Sequence, residues 1–276
     1  MGLTFQSIRT LLSVHRHLFE NKKVLSLGVL FPYLTASQMN RLSHHNINFK
    51  TTRQAFAKTF FENTLNASSY HTIDVSNYQG ADIIHNLNIP IAAELNAQFD
   101  VVLDMGTLEH LSNTSTALQN IFDLLTLGGV YYCGTVVNNW VDHGFYQFSP
   151  TFFYDLAIWN SCLDLKEISM VSNKYNVTLP YYSPYDLLAS RLFKIPDRLA
   201  LIAVVAKRME GRISFDLLQT KYRSFYKDIN LGLSPNDFAL SPNRSFYYRA
   251  MCKLFDFSPR FLYGYLLRIL SYLSKP

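Results

Sequence analysis

Cysteine is scarce in this chain of 276 residues, and its three cysteines are widely spaced. They form no Cys-x-x-Cys pair, so the sequence indicates no disulfide framework and favours a reduced, cytoplasmic compartment. No apolar run reaches the roughly 18 residues that a membrane-spanning helix needs. Arg9, His15 and Arg16 interrupt the apolar residues near the amino terminus, which is not the pattern of a secretory signal peptide.

Several motifs that carry well-known chemistry are also missing. The sequence contains no Walker A string, no Gly-x-Ser-x-Gly string and no His-Glu-x-x-His string, so it does not indicate a P-loop nucleotidase, a serine hydrolase or a zinc protease of those types. The pair His44–His45 has no carboxylate or cysteine at metal-ligand spacing. The sequence therefore predicts no metal site.

Positive charge is concentrated toward the carboxyl terminus. From Lys207 onward there are twelve Lys/Arg and five Asp/Glu, a net +7, whereas the rest carries thirteen and fifteen, a net −2. This distribution argues against a nucleic-acid groove across the whole protein. Residues 255–273 have a broad apolar face with Arg260 and Arg268. Such a helix would make peripheral contact with an anionic membrane, or it would dock on its own domain or on a second copy in a homo-oligomer.

Short apolar runs alternate with helical patterns along most of the chain. Helices are predicted over 3–19 and 114–127 and after Ser149-Pro150, and strands over 23–28, 72–75, 81–87, 99–103, 130–137, 165–171 and 199–206. This alternation is typical of βαβ units and a mostly parallel sheet, with the last two strands forming an antiparallel pair. We predict an α/β domain over 1–208, with an N-terminal helix within 1–20, and a basic, aromatic-rich helical extension over 209–276.

The order of weak motifs FDVV, LEHL and GG between residues 99 and 129 resembles that of class I S-adenosylmethionine-dependent methyltransferases. The likeness covers about 22–208 and is greatest to the small-molecule and sugar-modifying branch. It implies a Rossmann-like, doubly wound, mostly parallel sheet of seven strands with an antiparallel edge strand. It also implies S-adenosylmethionine as cofactor and methyl transfer to a small acceptor, such as a sugar or glycolipid of a cell-surface pathway.

The resemblance also implies a set of cofactor-binding residues at successive strand ends. They are Gly28, Asp74, Asn86, Leu87, Asp104, Met105 and Gly106. Asp74 would accept hydrogen bonds from the ribose hydroxyls, and Asn86 would accept one from the adenine amine. The glycine-rich motif is degenerate, because apolar residues follow Gly28. The alternatives are a strand-to-helix turn that needs one glycine, and for Asp74 an Asx-turn.

The acceptor is expected to meet residues that follow the fourth and fifth strands. His110 is the candidate general base, because an imidazole accepts protons near neutral pH, and His143 is its rival. Glu109, Asp142 and Tyr146 are candidate substrate-binding residues. Since neighbouring side chains do not share a face, Glu109 is expected to contact polar backbone or cofactor. Alternatively, His110 caps the following helix and the aromatic residues near His143 fill the core.

Three functions remain open from the sequence. The first is a methyltransferase, and the second is a catalytically inactive scaffold or partner subunit that has lost cofactor binding. The third is another nucleotide-using enzyme on the same sheet, since a fold does not fix a function.

Overall fold

The computed structural model describes residues 2–174, 177–180 and 198–220, so most of the predicted C-terminal extension lies outside the described residues. The helices are α1 (Phe5–Ser13), α2 (Ala36–Leu42), α3 (Arg53–Thr59), α4 (Thr114–Leu124) and α5 (Pro150–Trp159). The strands are β1 (Gly2–Thr4), β2 (Lys23–Leu27), β3 (Phe31–Tyr33), β4 (Ser69–Asp74), β5 (Ile83–Ile84), β6 (Phe99–Met105), β7 (Leu125–Asn138), β8 (Leu163–Ser172), β9 (Val177–Pro180) and β10 (Leu199–Lys207).

Eight of these strands form one sheet in the order β5-β4-β2-β6-β7-β10-β8-β9. The strands from β5 to β7 pair in parallel, and the last three pairings are antiparallel. Because β2 is central and the chain winds outward from it in both directions, this is the doubly wound arrangement that the sequence predicts. The predicted fold is confirmed, and the short edge strand β9 adds one strand to the seven expected.

Helices cover both faces of this sheet, and the strands alternate between two apolar cores. On one face, α4 and α5 pack on side chains such as Leu25 and Tyr131. On the other face, α1, α2 and α3 pack on side chains such as Val24 and Tyr132. Adjacent residues of one strand point to opposite faces, so the pair Tyr131-Tyr132 contributes one fully buried ring to each core.

The predicted N-terminal helix is shorter than expected because the chain turns inward at His15. Helix α1 ends at Ser13, and a 3-10 turn spans Arg16–Leu18. The imidazole of His15 is 2% exposed, with Nδ1 2.9 Å from the hydroxyl of Tyr132 and Nε2 3.1 Å from Oε2 of Glu167. Both ring nitrogens thus have a partner, as burial of a polar ring requires. A continuous helix would leave the Tyr132 hydroxyl without this contact.

The Glu167 carboxylate in this contact predicts an acid-sensitive contribution to stability. Burial opposes ionisation of Glu167, but hydrogen bonds from His15 and Ser169 outweigh it and hold the pKa below its ordinary value of 4.5. A group with a lowered folded-state pKa stabilises the fold above its unfolded pKa and loses that effect as pH falls through the folded value. We therefore expect urea unfolding to show a larger fall in stability from about pH 5 to about pH 3 for the unmodified protein than for Glu167→Gln.

A matched control for this experiment is Glu94→Gln, because Glu94 is exposed on a separate 3-10 turn. This control should keep the acid sensitivity of the unmodified protein. Equal acid sensitivity in Glu167→Gln and the unmodified protein would show that the contact with His15 does not stabilise the folded protein when Glu167 is ionised.

Two further features differ from, or add to, the sequence-based expectations. Helix α4 ends at Leu124 rather than 127, because Leu125 pairs with Phe99 and already belongs to β7. Downstream of β10, the side chain of Ile213 is buried and its amide donates to Gln119 on α4. The first residues beyond 208 therefore pack on the α/β domain, and the domain boundary stays a prediction.

Within the described ranges, no helix combines the length and the apolarity needed to cross a membrane.

Candidate functional site

A cavity of about 370 Å³ opens at the edge of the sheet where β6 and β7 end. Met105, the last residue of β6, and the following Gly106 line it on one side, and Gly134 and Thr135 line it from β7. In open α/β sheets, ligands bind outside the carboxyl ends of the parallel strands. The cavity lies at that edge, and its volume is within the range of small-molecule sites.

A 3-10 turn after β6, Leu108–His110, places two of the predicted acceptor residues at this cavity. Glu109 is 1% exposed, and its Oε2 accepts a hydrogen bond of 2.8 Å from the Thr135 hydroxyl. Burial raises the pKa of the Glu109 carboxyl. His110 is exposed beside it, and partial burial and the neighbouring His143 lower its pKa. Glu109 thus contacts β7 through Thr135. A carboxylate oxygen of Glu109 also lies within 4.8 Å of a ring nitrogen of His110, so the two side chains do not diverge as expected from the sequence.

The loop after β7 folds back onto this turn and brings His143 to the cavity. The backbone carbonyl of Glu109 accepts hydrogen bonds from the amides of Phe145, at 2.7 Å, and Tyr146, at 3.2 Å. Nε2 of His143 lies 3.7 Å from Oε1 of Glu109. The ring centroids of His110 and His143 are 4.9 Å apart, and the ring planes meet at 66°, an edge-to-face arrangement. The two histidines of the sequence prediction therefore meet at one place.

The other two predicted residues of this loop lie further from the cavity. Asp142 is exposed with a φ of 61°, and Tyr146 donates from its hydroxyl to the carbonyl of Ser112 at 3.0 Å. Neither is among the described residues that line the cavity. Tyr146 instead holds the loop to the start of α4, and acceptor contact by either residue stays a prediction.

Asp104 at the end of β6 is buried and engaged within the protein. Its carboxylate accepts hydrogen bonds from the amides of Thr107, at 2.7 Å, and Leu108, at 3.3 Å, and from the hydroxyl of Tyr131, at 2.9 Å. Burial and the negative charge of Glu109 raise its pKa to about 7. Asp104 therefore fixes the turn that carries Glu109 and His110, while Met105 and Gly106 line the cavity beside it.

The loop after β2 holds Gly28 next to β4. Gly28 has a φ of 78°, in the left-handed region that glycine adopts at low cost, and its amide donates to the carbonyl of Ile73. Its own carbonyl accepts from the hydroxyl of Ser26 at 2.8 Å. The following Val29 and Leu30 are 4% and 0% exposed. The apolar residues that replace a glycine-rich motif are therefore part of the packed protein.

Asp74, Asn86 and Leu87 follow the neighbouring strands β4 and β5. Asp74 is half-buried, and its carboxylate receives a long hydrogen bond of 3.4 Å from the amide of Ser76. Asn86 is exposed, and its side-chain oxygen accepts from the amide of Asn88 at 3.0 Å. Leu87 is buried, and its carbonyl accepts a hydrogen bond from the side-chain amide of Asn120 on α4. These residues lie at successive strand ends, so Asp74 and Asn86 offer polar atoms at the sheet edge.

Sequence reasoning missed the part of the cavity wall that comes from distant segments. Thr4 and Tyr33, from the small parallel pair β1 and β3, line one side. Trp140 lines another, and its indole N–H donates to the carbonyl of Leu199 at 3.0 Å. Trp140 could have been identified as a candidate from the sequence, because it is one of two tryptophans and follows the predicted strand 130–137. The wall built from β1 and β3 depends on long-range packing that no local pattern indicates.

One further arrangement was not expected from the sequence. Glu109, His110 and His143 each present one metal-ligand atom, and these three atoms all lie within 4.8 Å of one another. All three residues line the cavity.

Comparison with known proteins finds similar solved structures but no similar sequence. No protein-family model matches the chain, and no curated protein sequence is detectably similar to it. Similar solved structures include the trans-methyltransferase CalH in complex with SAH (12% identity, TM-score 0.42, covering 74% of this chain and 57% of that one). The 1,6-didemethyltoxoflavin-N1-methyltransferase of Burkholderia thailandensis, with bound 1,6-didemethyltoxoflavin and S-adenosylhomocysteine, has 13% identity and a TM-score of 0.40, covering 74% of this chain and 78% of that one.

A third similar structure is the [4+2]-cyclase SpnF, with 14% identity, a TM-score of 0.44 and coverage of 74% of this chain and 81% of that one. This chain spans less than two thirds of the length of CalH. Two of the three proteins are methyltransferases by name, and the third is a cyclase.

Proposed function

We propose that this protein is an S-adenosylmethionine-dependent methyltransferase that acts on a small acceptor, such as a sugar or glycolipid. The observation that carries the proposal is the cavity at the carboxyl ends of β6 and β7, in which Glu109, His110 and His143 meet. The strand order of the sheet supports it, because this order reverses between β2 and β6, and open α/β sheets bind nucleotide-containing ligands at such a reversal.

The residues at the ends of β2, β4 and β5 fit the ribose and adenine parts of the cofactor. Asp74 keeps a half-buried carboxylate at the sheet edge, with a single long hydrogen bond to its own turn. Asn86 presents its amide at the next strand end. Gly28 brings backbone close to β4. Asp74 would therefore hold the ribose hydroxyls and Asn86 the adenine amine, while Met105 and Gly106 would adjoin the sulfonium end.

When bound, S-adenosylmethionine supplies a methyl group on a positively charged sulfur. The chain's own contribution is then to align an acceptor in line with that methyl group, and alignment provides most of the acceleration of such displacements. His110 and His143 would face the acceptor, and Trp140 and Tyr33 would form part of the wall around it. The carboxylate of Glu109 is fixed by Thr135 and contributes negative charge to the same wall.

Binding of S-adenosylmethionine by calorimetry tests this proposal. We expect the unmodified protein to bind the cofactor, and Asp74→Ala to weaken binding by about 1.5–3 kcal/mol, the contribution of a hydrogen bond to a charged group. The control is Glu94→Ala, which removes an exposed carboxylate away from the crevice and should leave the affinity unchanged. No binding to the unmodified protein at millimolar cofactor would refute the enzyme proposal.

A specific observation favours the second candidate, an inactive scaffold or partner subunit. In the loop after β2, Val29 and Leu30 are buried, and the carbonyl of Gly28 already accepts a hydrogen bond from the Ser26 hydroxyl. A loop packed in this way offers less backbone to the methionine part of a cofactor than a glycine-rich one. The same titration separates the two candidates, because a scaffold that has lost the cofactor gives no binding signal with either S-adenosylmethionine or its demethylated product.

A further inference from the structure

Three side chains with metal-binding atoms meet where the turn after β6 touches the loop after β7. Glu109 and His110 come from the turn, and His143 comes from the loop. Their ligand atoms lie within 4.8 Å of one another, and the pair Glu109 Oε1 and His143 Nε2 is 3.7 Å apart. Two imidazoles and one carboxylate are a common ligand set for divalent transition metals, and this set leaves coordination positions open.

The carboxylate of Glu109 is held in place as a metal ligand requires. Its Oε2 accepts from the Thr135 hydroxyl, and its Oε1 faces His143. A hydrogen bond of this kind, from a neighbour to the second oxygen of a ligand, orients the ligand and is a regular feature of metal sites. A carboxylate that is 1% exposed also needs a nearby positive charge to offset its desolvation.

The backbone holds the two segments together independently of any ligand. The amides of Phe145 and Tyr146 donate to the carbonyl of Glu109, so the loop that carries His143 is fixed to the residue that it faces. Gly144 makes this contact possible, because a Cβ there would lie 2.8 Å from the same carbonyl oxygen. The three ligand atoms are therefore assembled in advance, and binding an ion would require little reorganisation of the backbone.

We propose that Glu109, His110 and His143 bind one divalent transition-metal ion, such as Zn²⁺ or Mn²⁺, at the wall of the cavity. Ligand atoms at about 2.1 Å around a tetrahedral ion lie about 3.4 Å from one another, so closure from the present separations needs about 1 Å of side-chain movement. His110 is exposed and His143 is partly exposed, which allows this movement. Mg²⁺ and Ca²⁺ are disfavoured, because they prefer oxygen ligands throughout.

The site also indicates a class of acceptor, and this extension rests on the proposed function. All three ligands line the cavity, so the open coordination positions of the ion face the space in which an acceptor would lie. An acceptor with two adjacent oxygen atoms, such as a vicinal diol or a hydroxy acid, would chelate the ion there. A metal ion lowers the pKa of an oxygen bound to it. The imidazoles would then serve as metal ligands rather than as the general base.

Metal titration of the chelator-treated protein tests the site without an acceptor. We expect Zn²⁺ to bind with one-to-one stoichiometry in calorimetry, and Co²⁺ to give the visible absorption bands of a site with nitrogen and oxygen ligands. His110→Ala, His143→Ala and Glu109→Gln should each weaken Zn²⁺ binding at least about 100-fold, and Thr135→Val by about 10-fold through the misoriented carboxylate. The matched control is His44→Ala, which removes an exposed imidazole from the pair with His45.

Each outcome of this titration supports or overturns the site. Loss of binding in the three ligand variants, with His44→Ala unaffected and all variants folded by circular dichroism, supports it. Unchanged Zn²⁺ binding in His110→Ala and His143→Ala, loss confined to His44→Ala, or no one-to-one binding to the unmodified protein overturns it. If a ligand variant fails to fold, the Co²⁺ spectrum of the unmodified protein and of Thr135→Val decides in its place.

A parallel titration with S-adenosylmethionine distinguishes the metal site from the proposed function. Cofactor binding without Zn²⁺ binding would refute the metal site alone. Zn²⁺ binding that depends on the three ligands, without cofactor binding, would refute the methyltransferase proposal and leave the metal site standing.

Discussion

Replacing Asp104 with alanine should destabilise the protein by about 3–5 kcal/mol, the cost of removing one partner from a buried charged network. The substitution removes the carboxylate that accepts from the amides of Thr107 and Leu108 and from the buried hydroxyl of Tyr131. Each buried donor without a partner costs about 1–3 kcal/mol. Urea unfolding measures the effect, and Asp82→Ala is the comparison because its exposed carboxylate also accepts from a backbone amide, that of Thr72.

The same carboxyl predicts a pH dependence of stability with a definite sign. Burial and the negative charge of Glu109 raise the pKa of Asp104 from 3.8 to about 7. A carboxyl with a raised folded-state pKa stabilises the fold fully below its unfolded pKa, and this effect is lost as pH rises through the folded value. Between about pH 4 and pH 7, the unmodified protein should therefore lose stability relative to Asp104→Asn, whose side chain does not ionise.

Two results would contradict this account of Asp104. A loss below about 1 kcal/mol in Asp104→Ala, smaller than one buried donor without a partner costs, would mean that the three donors find water or other acceptors. An identical pH profile for Asp104→Asn and the unmodified protein would mean that the carboxyl does not change its charge in this range.

Replacing Gly144 with alanine should separate the His143 loop from the turn that carries Glu109. Gly144 has a φ of +70°, and an added Cβ would lie 2.8 Å from the Glu109 carbonyl oxygen, closer than side-chain carbons approach. Since that oxygen accepts from Phe145 and Tyr146, moving it breaks both hydrogen bonds. We expect these two amides to exchange hydrogen at least about 10-fold faster, which corresponds to a loss of about 1.4 kcal/mol of local protection.

The matched control for this substitution is Gly128→Ala. Gly128 has a φ of +79° but no atom within 4 Å of an added Cβ, so it tests the backbone strain without the collision. It should lower the free energy of global unfolding by about 1–2 kcal/mol. The amides of Phe145 and Tyr146 should then exchange faster only to the extent that this lower global stability requires. Faster exchange of these amides in both variants would show that general destabilisation, rather than the contact with Glu109, explains the result.

Prediction from sequence succeeded where the signal was local and repeated. The apolar run 99–103 and its successor 130–137 indicated buried neighbouring strands, and β6 and β7 pair in parallel over these residues. The helix after Ser149 also appears, with the Ser149 side chain accepting from the amide of Thr151. These features follow from side-chain periodicity and from helix capping, which act over a few residues.

Prediction was weaker where a strand end or a cluster depends on distant partners. The third predicted strand, 81–87, shrinks to Ile83–Ile84, because β4 pairs with it over two residues. The sequence predicted no metal site, because Glu109 and His143 are separated by the whole of α4 and β7 and share no local motif. The placement of His110 beside His143 was expected from the order of strands, but the contact of His143 with Glu109 was not.

By itself, the sequence determined the class of fold, the succession of most strands along the chain and the two segments on which the candidate site lies. These follow from apolar periodicity, from glycine and proline positions and from polar residues just beyond strand ends. The tertiary structure alone decided that Asp104 serves the turn, that β1 and β3 close the cavity, and that Glu109, His110 and His143 form one cluster. Those outcomes depend on how loops from separate strands fold back onto one another, and such long-range contacts leave no periodic trace in the sequence.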